Sequence, residues 1–248
     1  MTTCPEYFHA IHLGRCRSTN EYVRTNLPRL ARDLPLMVSA AAQTEGRGRE
    51  GRGWYSAPDL GIYATFAFTL AERFLSFLSL AAGVAVADML AGWTGGEFTL
   101  KWPNDVLGAG RKVAGVLCEN IVASGQVTCL VGIGINVNHG PEDFPEELRE
   151  RAGSLRLVTE QSWPLADGRA RLAASMAAWL QRLAAGRPDA ILTRARRLSR
   201  SFLGREIQFH KQGRILRGTF RGLAADGGLR LEVAGQDEQV FYNGEIIG

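Results

Sequence analysis

The sequence predicts an α+β protein: a mixed or antiparallel β-sheet flanked by helices over residues 1–201, then a small β-barrel over residues 202–248. Two observations predict it. Up to Ser201, β-rich runs such as "LPLMVSAAAQ" and "LGIYATFAFTL" are interleaved with segments of helical spacing. From Phe202 the texture changes to short alternating segments broken by glycines: "REIQFH", "RILRGTFRGLA", "GLRLEVAG" and "QVFYNGEI".

Each element has its own signal. In "RSTNEY", Ser18 with Glu21 three residues later has the form of a capping box, so a helix is expected to start at Thr19 or Asn20. "LPLMVSAAAQ" reads as a strand feeding the segment "TEGRGREGRGW", and "LGIYATFAFTL" as a second strand. From Ser76, apolar residues at Leu78, Ala82, Val86, Met89 and Trp93 follow helical spacing, which predicts a helix packed on the sheet. "FTLKWPNDVLGAGRKVAGVLCENIV" reads as a strand, a turn-rich connection around "PND" and "GAGR", and a strand from Lys112. "QVTCLVGIGINVN" is a further apolar strand, and two amphipathic helices are expected near 165–185 and 188–200.

Composition bounds the function. With 46% hydrophobic and 22% charged residues in 248, the chain is an ordinary globular protein without a bias to disorder. A net charge of +4 suits an anionic small molecule or an acidic partner and falls short of the field of a dedicated nucleic-acid binder. Cys4, Cys16, Cys118 and Cys129 have no CxxC spacing and no paired histidine motif, so free thiols are expected rather than a metal site or disulfide framework. The N-terminus lacks the pattern of a signal peptide, and "LSLAAGVAVADMLAGW", interrupted by Asp88, reads as too short for a bilayer. A cytoplasmic protein without a membrane partner is expected.

The segment Thr44–Trp54 concentrates four glycines and three arginines. Clustered like charges repel, and glycine costs backbone entropy on ordering, so an anion is expected there. The segment lacks the Lys-Ser/Thr ending of a P-loop. Three readings stay open: a short RGG-like nucleic-acid segment, an ordinary basic surface loop, and a mobile loop whose arginines close over a phosphate on glycine hinges. In "VGIGINVN", Gly132 and Gly134 fit a dinucleotide fingerprint, but position 137 is valine and no helix pattern follows. Close-packed strand glycines are the better reading. "KWPND" and "RKVAG" place Lys, Asn and Asp beside apolar strands, where convergent polar groups on a rigid sheet would form a site.

Taken in order, "STN", "GRGREGRGW", "KWPNDV", "GRKVAGVLCE" and "GIGINVN" closely resemble the biotin–protein ligases (biotin–[acetyl-CoA-carboxylase] ligases), from about Gly14 to the C-terminal module. The resemblance implies an SH3-like C-terminal barrel and a two-step reaction. Biotin and ATP, with Mg2+, give biotinyl-5′-adenylate, and the biotinyl group then passes to one lysine of a biotin carboxyl carrier domain. It implies Ser18, Thr19, Asn20, Gln43, Gly46, Arg47, Gly48, Arg49, Lys112 and Gly115 as biotin-site residues. Arg47, Arg49, Trp54, Asn104, Lys112 and Asn136 are implied for the nucleotide, and Lys112, Arg49 and Asp105 as catalytic, with no resident metal site. Glu50 is a departure, since such proteins more often carry a neutral or basic residue there. Fewer than twenty residues precede "STN", so the winged helix of members that double as repressors, and with it a DNA partner, is not expected. A homodimer is compatible with the resemblance. The alternatives are a lipoate–protein ligase of the same superfamily and, from a different class, a basic RNA-binding module.

Overall fold

The computed structural model describes residues 7–123, 125–233 and 235–247; Cys4 and Gly248 lie outside the described residues. Strand β1 (His9–Cys16) leads into helix α1 (Thr19–Leu30) and strand β2 (Leu36–Gln43). Strand β3 (Gly61–Thr69), helix α2 (Leu78–Thr94) and strands β4 (Phe98–Lys101), β5 (Asp105–Gly108), β6 (Arg111–Ala123) and β7 (Gln126–Asn136) follow. Helices α3 (Leu155–Thr159), α4 (Leu165–Ala184) and α5 (Pro188–Leu198) precede strands β8 (Glu206–Lys211), β9 (Arg214–Leu223), β10 (Leu229–Val233), β11 (Glu238–Phe241) and β12 (Glu245–Ile247).

The first seven strands form one sheet in the order β1-β2-β3-β7-β6-β5-β4, with β1 and β2 parallel and the other neighbours antiparallel. Its two faces are covered unequally. One carries α2, α4 and the main apolar core, in which Phe66, Val131, Ile133 and Ile135 meet Leu90, Val86 and Met176. The other carries α1 over a small cluster of Val23, Leu36, Val38, Ala67 and Leu130. The rest of that second face is left to the Gly/Arg segment. Being buried on both faces explains why β3 reads as a near-continuous apolar run rather than an alternating one.

Helix α2 is apolar almost all round because it lies between the sheet and α4 and α5. With the short 3-10 segment before it, the helical run Glu72–Thr94 is long and apolar enough to cross a bilayer, contrary to the expectation from sequence; 72% of its most apolar window is buried in the core. It ends at Gly95, whose φ of 72° is the left-handed cap that glycine adopts without strain.

Strands β8–β12 form an all-antiparallel sheet in the order β11-β10-β9-β8-β12. Among the described residues no ladder joins β11 to β12, so the expected barrel is an open five-stranded sheet in its hydrogen bonding. Two further expectations need correction. The connection around "PND" and "GAGR" contains a strand of its own, β5, because Val106 is buried in the core and the chain pairs with both β4 and β6. Helix α1 begins at Thr19 as expected, but Ser18 makes no side-chain cap bond. Glu21 is instead engaged by Arg17 at 3.0 Å and Arg47 at 3.4 Å, so no capping box forms.

Candidate active site

Strand register builds the floor of the site. Lys101, Asp105, Gly115 and Gly134 lie opposite one another across β4, β5, β6 and β7, in a single row. The next row toward α1 runs Leu117, Gly132 and Thr65. Directly paired residues share a face of the sheet, so one surface passes from charged groups through bare glycine to neutral polar groups.

At the neutral end the side chains form a continuous chain of hydrogen bonds that ends on the Glu119 carboxylate. Gln43 Oε1 accepts from the Thr19 backbone N–H at 2.8 Å, and its Nε2 donates to Ser56 Oγ at 2.9 Å. The Thr19 and Thr65 hydroxyls meet at 2.8 Å, Thr65 donates to Asn20 Oδ1 at 2.5 Å, and Asn20 Nδ2 donates to Glu119 at 2.7 Å. Ser18, Thr19, Asn20, Ser56 and Thr65 are all buried. Such groups persist inside a protein because their partners are fixed. Gly132 is required here, since a Cβ would come within 2.4 Å of Asn20 Oδ1.

The Gly/Arg segment, for which a mobile phosphate-covering loop is one of three open readings from sequence, takes the form of a small hairpin. Arg47 pairs with Gly53, Trp54 N–H donates to the Gly46 carbonyl at 2.8 Å, and Gly48 N–H to the Arg52 carbonyl at 2.7 Å. Glu50 and Gly51 turn the chain with φ of 55° and 74°. A Cβ on Gly46 would lie 2.4 Å from the Trp54 carbonyl, which makes glycine obligatory at that rung. The hairpin lays Trp54 across the floor: a Cβ on Gly134 would meet its indole at 2.3 Å, and one on Gly115 at 3.0 Å. The indole Nε1 is buried and makes no hydrogen bond. The glycines of "GIGIN" are thus the close-packed strand glycines expected.

At the charged end, Lys112 Nζ lies 2.7 Å from Asp105 Oδ1 and 5.4 Å from the Trp54 ring centre. The Lys112 backbone is pinned on both sides, its N–H to Arg151 and its carbonyl by Gly153. Arg49 Nη1 donates to the Gly244 carbonyl at 2.9 Å and approaches Asn104 Oδ1 at 3.4 Å. Asn104 itself donates to the Val116 carbonyl, and Asn136 to that of Gly153. Lys101, beside Asp105 and Lys112, is held below its ordinary range chiefly by burial, against the pull of Asp105.

The residues implied by the sequence are therefore brought to one face, with two qualifications. Arg47 points its charge to Glu21 on α1, away from Lys112's partner Asp105, and Asn136 serves to tie the 139–153 segment. Sequence reasoning missed Thr65, Ser56, Glu119, Lys101 and Glu245. Thr65 had a signal, as the polar residue in the middle of an apolar strand; Lys101 stood inside a motif already singled out.

Comparisons with known proteins agree with this geometry. Residues 13–138 match the model of the Biotin/lipoate A/B protein ligase family, and residues 202–247 that of the Biotin protein ligase C terminal domain. A biotin protein ligase from Aquifex aeolicus, solved in complex with biotin and ATP, is 29% identical with a TM-score of 0.80, over 96% of this chain and 97% of that one. The bifunctional ligase/repressor BirA of Bacillus subtilis is 34% identical over 151 residues, 60% of this chain and 45% of the relative. The biotin--[acetyl-CoA-carboxylase] ligase of Mycobacterium tuberculosis is 40% identical over 114 residues, 44% and 41% of the two chains. The matched stretch thus spans less than half the length of these two relatives. With the family model matching 13–138 of 248 residues, the chain belongs to the biotin/lipoate A/B protein ligase family.

Proposed function

We propose that the protein is an ATP-dependent biotin–protein ligase acting through biotinyl-5′-adenylate. The observation that carries this reading is the single face on which a neutral, internally bonded polar set meets a cationic end across a glycine floor. Biotin has the same polarity: an uncharged ureido ring on an apolar bicycle at one end and a carboxylate at the other. A buried ureido group demands neutral donors and acceptors, which Ser18, Thr19, Asn20 and Gln43 offer. Gly115 makes room for Lys112 and Trp54 against the sheet, and Trp54 forms a wall of the site.

In the first step a biotin carboxylate oxygen attacks the α-phosphorus of ATP, and pyrophosphate leaves. Two anions converge there, so Lys112 and Arg49 act as preorganised positive groups, with Arg47 at the loop's base. Asn104 and Asn136 hold the nucleotide side of the site in shape. ATP would enter as its Mg2+ complex, which would supply further positive charge at the phosphates, and Asp105, now paired with Lys112 at 2.7 Å, is the carboxylate that would hold the ion. In the second step the acceptor lysine of a carboxylase carrier domain loses a proton, its amine attacks the acyl carbon, and AMP leaves. Asp105 orients that amine. The closed hairpin, with Gly46 and Gly48 at its base, keeps water from the mixed anhydride. Residues 1–201 serve as the catalytic unit and residues 202–248 as its accessory, in a cytoplasmic enzyme that needs neither DNA nor membrane.

The deciding experiment is biotin-dependent exchange of labelled pyrophosphate into ATP, with lipoate as the control acid. Exchange with biotin alone is expected. Exchange with lipoate alone would move the assignment to a lipoate ligase, and salt-sensitive RNA binding without turnover would move it to a binding module.

A further inference from the structure

All three charged residues at the tip of the Gly/Arg hairpin meet the C-terminal sheet. Arg49 bonds the Gly244 carbonyl, and Arg52 bonds Glu245 Oε2 at 2.5 Å. Glu50 Oε2 lies 3.9 Å from His210 Nδ1, which lies 3.9 Å from Glu245 Oε1. His210 and Glu245 are paired directly across β8 and β12, so one rung of that sheet faces the hairpin tip. Glu245 is the more buried partner, with 17% of its side chain exposed against 55% for Arg52. Although burial pushes its carboxyl up, the bond from Arg52 and the charges of Arg52, Arg49 and His210 hold it below the usual range.

We propose that this rung is the seat on which the hairpin closes, with Glu245 and His210 as positioning residues that hold Arg49 over the site. Charge order makes the seating specific. The line Glu50, His210, Glu245, Arg52 places an imidazole between two carboxylates and a guanidinium on the free side of the second. A carboxylate oxygen each of Glu50 and Glu245 and a ring nitrogen of His210 lie within 4.8 Å of one another, and Arg52 gives Glu245 its countercharge. Glu50, the acidic departure in an otherwise basic motif, has its counterpart in His210. The kinetic consequence, retention of the adenylate, rests on the ligase reading above; the contact itself does not.

The test uses charge reversal in the full chain: Arg52→Glu, Glu245→Arg, and the two combined. Hydrogen exchange of the backbone amides of 46–53, measured without ligand, is expected to quicken roughly two- to fivefold in each single variant, the scale of a part-exposed ion pair. The double variant should return most of the way to the parent. In turnover with biotin and ATP, the ratio of biotin on serum albumin to biotin on the carrier should rise and fall in the same order. Unchanged hydrogen exchange in the single variants, or a double variant no better than the singles, overturns the seat. Should Glu245→Arg fail to fold, Glu245→Gln serves in its place, and unaltered amide exchange in it would equally sink the proposal. Because hydrogen exchange needs no turnover, a parent chain inactive with biotin would refute the ligase reading while leaving the seat standing.

Discussion

The two ends of the site are built on different principles. The neutral end is largely buried beside the seven-stranded sheet: Thr19, Asn20, Gln43, Ser56 and Thr65 form one hydrogen-bonded chain over α1, β2, β3 and the segment between the two strands. The charged end is half open, and its groups are tied to distant segments, Lys112 to the 151–153 backbone and Arg49 to Gly244. A neutral ligand group is recognised by fixed geometry, which favours a rigid network. A phosphate that arrives, changes and leaves needs charges that can be covered and uncovered. On the ligase reading, recognition of the neutral group and handling of the phosphate thus fall to opposite ends of the face.

The largest effect should come at the charged end. Lys112→Ala is expected to lower biotin-dependent pyrophosphate exchange by about a hundredfold or more, the scale of losing a preorganised transition-state donor. Lys112→Arg should recover only part, because a planar guanidinium cannot replace a point charge packed over Trp54. Unaltered exchange in the alanine variant would remove this lysine from the mechanism.

Arg49→Gly should act on retention rather than on chemistry alone. It deletes the bond to Gly244 and a charge-assisted contact of about 1.5–3 kcal/mol, so escape of the adenylate should rise roughly ten- to hundredfold. Biotin appearing on added serum albumin, compared with the parent, measures that escape. Equal labelling by both proteins would mean that Arg49 does not hold the intermediate.

At the neutral end the response should be smaller and of another kind. Thr65→Val removes the hydroxyl between Thr19 and Asn20 at little change in volume, leaving partners unpaired at a cost of about 1–2 kcal/mol. The expected result is biotin affinity weakened roughly five- to thirtyfold by calorimetry, with kcat at saturating biotin nearly retained. A fall in kcat without a change in affinity would erase the distinction between the two ends.

The last effect falls on stability in acid rather than on the chemistry of the site. His139 is fully buried, both ring nitrogens lack partners, and it stacks on Phe144 at 4.9 Å. Burial pushes its pKa down to about 4 from 6.5, with Asp143 pulling the other way. The unfolded chain therefore binds the proton first, so stability is complete above about pH 6.5 and declines as pH falls toward 4, by on the order of 3 kcal/mol. His139 begins the segment that backs Lys112, so acid should loosen the charged end first. Urea unfolding at pH 7 and pH 5 should show a smaller difference in His139→Phe than in the parent; the same difference in both would clear His139 of the effect.

The sequence made much of this legible where the signal was local. Helix α1 starts at Thr19, α4 and α5 fall within a residue or two of the expected spans, and the motif residues do converge. Strand β5 escaped notice because four residues flanked by turns carry little periodicity. Thr65 and Glu119 escaped because their partners lie 45 and 99 residues away from them, on Asn20. The loop's contacts were hidden for the same reason: glycines and arginines advertise freedom and repulsion, and the carbonyl of Gly244 and the carboxylate of Glu245 that meet Arg49 and Arg52 lie far along the chain.

That distance has a consequence for how the protein is made. Arg49 finds the Gly244 carbonyl 195 residues later in the chain. During synthesis, residues 13–138 leave the ribosome long before β12 exists, so the nascent sheet can expose its glycine floor while its cover still lacks a seat. On the ligase reading, a translation product broken off before Gly244 would keep Lys112 and lack both anchors of the hairpin tip, the Gly244 carbonyl and Glu245. If the seat proposed above holds, the last strand is the part of the chain that completes the cover of the site.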